Sequence, residues 1–255
     1  MARRLASVLV GMTVLMLASA QAQTSEWDGN GFISISGGSQ FSDKQFEERL
    51  SVPKFDETAE FQTDHTSGSG GILDVAGGLR LVGNLAFGVG FSLMENQGDA
   101  TGHGTVPNPL FFDRDRSVTF DATGLKHREV GIHFSAVYVI PLGDRFLVSI
   151  FGGPTVFRLR QELVGDVALG PELDLPFFDS VDVASVTTTS VSETGLGGHV
   201  GVDGTFLLND QLGVVGFFRF DGGSVDVATG TTQVSIDVGG AQAGGGLRIF
   251  LPLPF

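Results

Sequence analysis

The sequence predicts an all-β fold, a transmembrane antiparallel up-and-down β-barrel of eight strands, and three observations carry that expectation. In stretch after stretch, apolar residues recur at every second position, the period of a strand with one apolar side. The connections alternate between tight turns such as Gly83-Asn84 and long polar loops, as in membrane barrels. Composition is the third. Glycine supplies 38 of 255 residues and charged residues only 17%, with a mean hydropathy of +0.21. Yet beyond the N-terminus no run of about 18 apolar residues could cross a bilayer as a helix. Barrel strands alternate lipid-facing and lumen-facing residues, so they never look apolar over a long window.

Residues 1–22 read as a secretory signal, with Arg3 and Arg4 as the positive region, Leu5 to Leu17 as the apolar core and Ala20-Gln21-Ala22 as the small-x-small cleavage site. A transmembrane anchor is the rival reading, and the apolar core is short for one. Residues 23–255 then form one barrel domain. Loss of Arg3 and Arg4 takes the formal charge from −14 to −16, which sets the mature chain against nucleic-acid binding. The absence of cysteine removes disulfide and thiolate chemistry.

Eight strands follow in order. Asn30 to Phe41 sets Ile33 and Ile35 against Ser34 and Ser36, and a polar loop is expected from there to about Ser69. Ile72 to Val82 puts Leu73, Val75, Leu79 and Leu81 outside and Asp74, Ala76, Gly78 and Arg80 inside. Gly83-Asn84 turns the chain tightly. The third strand alternates Leu85, Phe87, Val89, Phe91 and Leu93 with Ala86, Gly88, Gly90 and Ser92, so its small face must look into something narrow. A second loop is expected over about 96–126. The fourth strand places Val130, Ile132, Phe134, Tyr138 and Ile140 outside with Glu129, Gly131, His133 and Ser135 inside.

Gly143-Asp144 is the next short turn. Arg145 to Arg160 makes a fifth strand with large apolar residues on both alternating sets, so its faces stay open, and a bulge is expected at Pro154. A third loop, about 161–190, carries six acidic residues and no basic one. The sixth strand sets Leu196, Val200, Val202 and Phe206 against Glu193, Gly197, His199, Gly201 and Asp203. After Asn209-Asp210, the seventh sets Leu212, Val214, Phe218 and Phe220 against Arg219 and Asp221. The eighth is apolar in the even frame at Val234, Ile236 and Val238 and in the odd frame from Leu247, so Asp237 and Arg248 face inward only if a bulge lies within 239–246. Its last residues, Leu247, Ile249, Leu251, Leu253 and Phe255, share one face, and no further domain is expected after Phe255. A soluble lipocalin-like barrel is the rival architecture, but it would turn Gly and charge outward and overfill its lumen with Phe, Leu and Val.

The alternation, the connection pattern, the signal segment and the terminal Phe255 together resemble the OmpA/OmpX-like eight-stranded outer-membrane barrels over essentially all of residues 24–255. The resemblance implies residence in a Gram-negative outer membrane after export through the periplasm. It makes Leu247, Ile249, Leu251, Leu253 and Phe255 the C-terminal insertion signal read by the barrel-assembly machinery. It also implies contact with outer-membrane lipid and lipopolysaccharide, and a monomer is expected. Two departures stand out: Pro252 and Pro254 remove ladder donors from the last strand, and no peptidoglycan-binding domain follows.

The expected inward charges are Asp74, Arg80, Glu129, His133, Glu193, His199, Asp203, Arg219, Asp221, Asp237 and Arg248. An eight-stranded barrel is just wide enough for side chains to fill, and buried charges must be paired, so a plugging salt-bridge network is the leading reading and a polar path or small-ligand site the second. Some barrels of this size are lipid-modifying hydrolases using Ser, His and Glu on the lipid-facing surface. Here His133 and His199 face the lumen, so no catalytic set is expected. His65, His103 and His127 lack metal spacing, and no metal or cofactor is expected. The acidic first and third loops read as solvated surface, with divalent cations shared with lipopolysaccharide phosphates as a weaker alternative. The function expected is structural or interactive, in envelope integrity and loop-mediated binding. Passive passage of small or hydrophobic solutes is the alternative.

Overall fold

Ten antiparallel strands lie in one sheet of a computed structural model that describes residues 30–112, 114–172, 176–229 and 232–252. The signal segment over 1–22 and the terminal Leu253, Pro254 and Phe255 lie outside the described residues. The strands are β1 (Gly31–Phe41), β2 (Lys44–Lys54), β3 (Glu57–Ser67), β4 (Gly70–Val82), β5 (Leu85–Val106), β6 (Arg116–Pro141), β7 (Phe146–Leu169), β8 (Val183–Leu207), β9 (Leu212–Thr229) and β10 (Thr232–Leu251). Eight of them close a ring in chain order, β1, β4, β5, β6, β7, β8, β9 and β10. The closing pair β1–β10 runs from Gly31↔Leu251 to Phe41↔Ala241. Closure leaves no ring strand with a free edge through the apolar belt, which is what a hydrocarbon surround demands. Pro252 falls just past the end of β10, so its missing N–H costs that ladder nothing.

The two extra strands correct the expected first loop. Residues 44–67 form a hairpin, β2–β3, paired from Lys44↔Ser67 to Lys54↔Glu57, and β3 joins the upper part of β5. Much of the expected second and third loops is also strand, because β5 to β8 continue well past the apolar belt. Beyond a membrane the outer face of a strand meets water and turns polar, which hides the alternation that marks strands inside the belt. Phe46, Leu50 and Val52 on β2 and Ala59 and Phe61 on β3 were its remaining signal, and they pack inward.

β7, whose faces the sequence leaves open, turns Leu147, Ser149, Thr155, Phe157, Leu159 and Gln161 inward. Pro154 makes no bulge. The β6–β7 ladder has the same register on both sides of it, His133↔Thr155 and Ala136↔Gly152, and a register shift occurs instead at Val164/Asp166 against β8. The expected slip in β10 is likewise absent, since its pairing with β9 is continuous from Thr232↔Thr229 to Ile249↔Leu212.

One inward frame therefore runs the length of β10, through Ile236, Val238, Gln242, Arg248 and Phe250. The interior changes chemistry with height. At the short-turn end it is apolar, with Phe32, Ala86, Val137, Val139, Leu147 and Phe250. A polar middle follows. Phe157, Leu159, Leu163, Val225, Val227, Ile236 and Val238 pack above it, and Phe61, Val106, Val118, Phe120 and Leu125 are among those that fill the far end. Outside, Ile33, Ile35, Leu73, Val75, Phe87, Phe91, Phe134, Tyr138, Phe218, Phe220, Leu247 and Ile249 are exposed apolar residues, the belt a membrane barrel presents to lipid.

Candidate functional site

The polar middle of the lumen is the densest chemical site in the chain, and β1, β4, β6, β8, β9 and β10 each contribute to it. Arg248 makes a two-pronged ion pair with Asp203, Nη1 to Oδ1 at 2.8 Å and Nη2 to Oδ2 at 2.9 Å. Its Nη1 also donates to Thr205 Oγ1 at 3.0 Å, and its guanidinium lies 4.6 Å from the centre of the Phe32 ring. One layer higher, Arg219 Nη1 meets Asp74 Oδ2 at 2.8 Å, while Arg219 Nε and Nη2 donate to Gln242 Oε1 at 2.9 and 2.5 Å. Gln242 Nε2 passes the connection on to Asp221 Oδ1 at 3.0 Å and to Gln40 Oε1 at 2.6 Å. Gln40 Nε2 then donates to Glu129 Oε2 at 3.2 Å. Glu129 also pairs with Lys44, which reaches in from the β2 hairpin, and with His127 Nε2 at 2.7 Å.

Two glycines complete this chain. Gly239 has φ of +86°, a left-handed conformation open to glycine. It turns its N–H toward Glu129 Oε2 at 2.9 Å, and the next N–H, of Gly240, donates to Asp221 Oδ1 at 3.2 Å. Each of the two amides thus satisfies a different buried carboxylate. A Cβ at Gly239 would stand 2.5 Å from the Asp221 carbonyl oxygen, so no side chain fits there without moving backbone.

A second chain runs beside the first. Ser92 Oγ lies 2.8 Å from His133 Nε2, His133 Nδ1 lies 2.9 Å from Thr155 Oγ1, and Thr155 Oγ1 lies 2.9 Å from His199 Nδ1. His199 Nε2 meets Ser135 Oγ at 2.8 Å. Hydroxyls can donate or accept, so all four ring nitrogens are matched. The Ser135–His199 pair lacks an orienting carboxylate, because the other ring nitrogen faces a threonine. Between the two chains lies a cavity of about 60 Å³, room for a few waters.

Eight of the charged residues expected inside are buried there: Asp74, Glu129, His133, His199, Asp203, Arg219, Asp221 and Arg248. Arg80 stands opposite Ala86, half-buried at the short-turn rim. Two are corrected. Glu193 is exposed, because above Leu196 β8 pairs with β7 alone and no longer walls a lumen. Asp237 is exposed because β10 keeps one frame and presents Ile236 and Val238 to the interior. No charge marks Gln40 and Gln242, neutral amides that carry the links between charged groups, or Gln161, which meets His127 Nδ1 at 2.5 Å. Lys44 lies in the expected first loop and His127 at the rim just past the expected second one; the shared parity of His127 with Glu129 is the signal that could place it.

The long-loop end holds a different arrangement. Asn108 binds two loops together, its Nδ2 donating to the carbonyls of Phe177 and Phe178 at 3.0 and 3.1 Å and its Oδ1 accepting from the Leu110 N–H at 2.9 Å. Arg116 adds a bond to Glu172 Oε1 at 3.0 Å and one to the Pro107 carbonyl at 2.8 Å. The clamped loops leave Leu110, Phe111, Phe112 and Phe177 exposed. Among the described residues no group of three or more His, Asp or Glu side chains is placed to hold a metal ion.

Ring closure, apolar belt and charged lumen define the class as a transmembrane antiparallel β-barrel of eight strands. Three solved structures are similar to it. The outer membrane protease OmpT from Escherichia coli is 11% identical, over 91% of this chain and 100% of that one, with a TM-score of 0.49. Neisserial surface protein A is 12% identical, over 87% and 97%, with a TM-score of 0.40. The attachment invasion locus protein Ail of Yersinia pestis is 10% identical, over 86% and 99%, with a TM-score of 0.34. All three scores fall below 0.5, and the fold rests on this chain's own strand ring. No protein-family model matches the chain, and no curated protein sequence does.

Proposed function

We propose that this chain is an integral outer-membrane barrel whose role is structural and interactive: it spans the membrane as a closed cylinder and holds a binding surface away from it. The observation that carries this reading is the filled interior. Apolar side chains close the short-turn end, ion pairs and amide bridges fill the middle, and two further apolar clusters fill the far end. Passive passage of small or hydrophobic solutes would need a path through these layers, and the cavity between them holds about 60 Å³. The binding surface is the far tip, where Asn108 and Arg116 hold two loops and Leu110, Phe111, Phe112 and Phe177 stay exposed; exposed apolar groups gathered on a built scaffold mark a contact site. Chemistry on a substrate is no part of this role.

Residence in the membrane is tested by heat-modifiable migration in detergent gels and by fractionation with outer membranes. The closed lumen is tested in planar lipid bilayers, where the refolded chain should leave conductance at the lipid baseline. Discrete channel openings would replace this reading with the passive-channel one.

A further inference from the structure

On the outside of the barrel, adjacent strands carry four exposed cations, Lys126 and Arg128 on β6 and Arg158 and Arg160 on β7. They are four of fifteen Lys and Arg in a chain of formal charge −14, so their gathering runs against the overall charge. Arg128 and Arg160 are direct cross-strand partners, and Arg158 stands opposite Val130, one inter-strand pair along on the same face. Like charges directly opposite one another repel. The protein neutralises only part of this. Arg128 Nε meets Glu95 Oε1 at 3.1 Å, and Glu162 accepts the backbone N–H of Lys126 at 2.9 Å. Arg158 and Arg160 donate to neutral hydroxyls, of Ser192 at 3.4 Å and Ser190 at 3.0 Å. The four cations line two adjoining surface depressions that share Arg128, Arg160 and Ser190.

Position says which kind of anion would complement these cations. The patch starts where the apolar belt stops: the next outward residues toward the short turns are Val130, Ile132 and Phe134 on β6 and Val156 on β7. Cations at that level stand at the depth of lipid headgroups, with their aliphatic stems against the belt. Guanidinium forks bind phosphate oxygens in pairs and keep their charge at any physiological pH. Outward positions beside them on β8, Ser190, Ser192 and Thr194, are neutral, so the basic site is confined to one side of the barrel.

We infer that Lys126, Arg128, Arg158 and Arg160 form a docking site for the phosphate-bearing headgroup of a lipid in the leaflet at the long-loop end. The inference rests on the membrane-spanning reading. It is tested with the full chain refolded into phosphatidylcholine vesicles doped with diphosphoryl lipid A or with the same glycolipid stripped of phosphate. After mild detergent extraction, mass spectrometry counts the glycolipid retained per barrel. The wild type should retain the phosphorylated form about tenfold more than the stripped form, and the triple variant Arg128→Gln, Arg158→Gln, Arg160→Gln should lose that excess.

Equal retention of both glycolipids, or an undiminished excess in the triple variant, overturns the inference. Loss of the lipid to millimolar inorganic phosphate alone also overturns it, since a free anion would then be the occupant. Heat-modifiable migration checks that the variant folds. If it does not, the wild type decides: the excess should collapse in high salt, and a salt-independent excess overturns the site. Failure of the wild type to enter any vesicle sinks the membrane reading and the inference with it, an outcome separate from insertion without lipid preference.

Discussion

Arg219 joins groups that the chain brings from two other strands, since its fork reaches Asp74 on β4 and Gln242 on β10, and its Nε lies 3.8 Å from Asp221 on its own strand. Removing it leaves a buried carboxylate at Asp74 without its cation, a loss of about 3–5 kcal/mol for a broken buried pair. Removing Asp221 is milder. Gln242 Nε2 keeps Gln40 Oε1 as an acceptor, and the Gly240 N–H is the group left without its carboxylate, a cost of about 1–3 kcal/mol. Arg219→Ala should therefore lower the urea midpoint of refolding in detergent clearly more than Asp221→Ala; equal, small shifts would mean a hydrated lumen. These charges could be placed from sequence because, inside the belt, an apolar outer face makes every second residue an inner one. Gln40 and Gln242 carry no charge to mark them, and Asp237 was misplaced because apolar meant outward only as far up as lipid reaches.

At the scale of elements, one acid ties the β2–β3 hairpin to β7. Glu48 is buried, with its Oε2 2.9 Å from His65 Nε2 and 3.2 Å from the N–H of Val164. Val164 borders the register shift between β7 and β8 at Val164/Asp166. Glu48→Ala should undock β2 from β7 and expose the hairpin to protease while the ring stays protected, which limited proteolysis of the inserted protein would show as early cuts within 44–67. The hairpin tip runs against its own backbone. Phe55 and Asp56 have φ of +53° and +63°, a left-handed pair that costs roughly 1 kcal/mol or more for each side chain. Phe55→Gly should relieve one of these costs and slow cutting of the hairpin, less any loss from the contact of Lys54 Nζ with the Phe55 ring at 5.0 Å. The sequence hid this element for a physical reason: its outward residues face water and alternate as acids, amides and hydroxyls, so its composition is that of a loop.

The whole molecule is a stack of fillings in one set of walls, and the hairpin serves the polar middle through Lys44 and the apolar layers above it, but not the lowest layer. β1 and β4 pair directly up to Gln40↔Gly70, so a short turn can replace residues 43–68 without touching any pairing of the eight-stranded ring. Such a deletion takes Lys44 from Glu129 and strips Ala59 and Phe61 from the upper core, uncovering Ala100, Val118 and Phe120. The lower plug of Phe32, Val137, Leu147 and Phe250 keeps every member. The deleted chain should thus still refold with heat-modifiable migration, while protease trims β5 to β8 beyond the belt. Its conductance in planar bilayers should remain at the lipid baseline, because the short-turn end is sealed independently of the hairpin. Channel openings in the deletion alone would make the hairpin the seal and the lower apolar layer permeable, whereas failure to refold would mean that the upper core stabilises the ring as well as capping it.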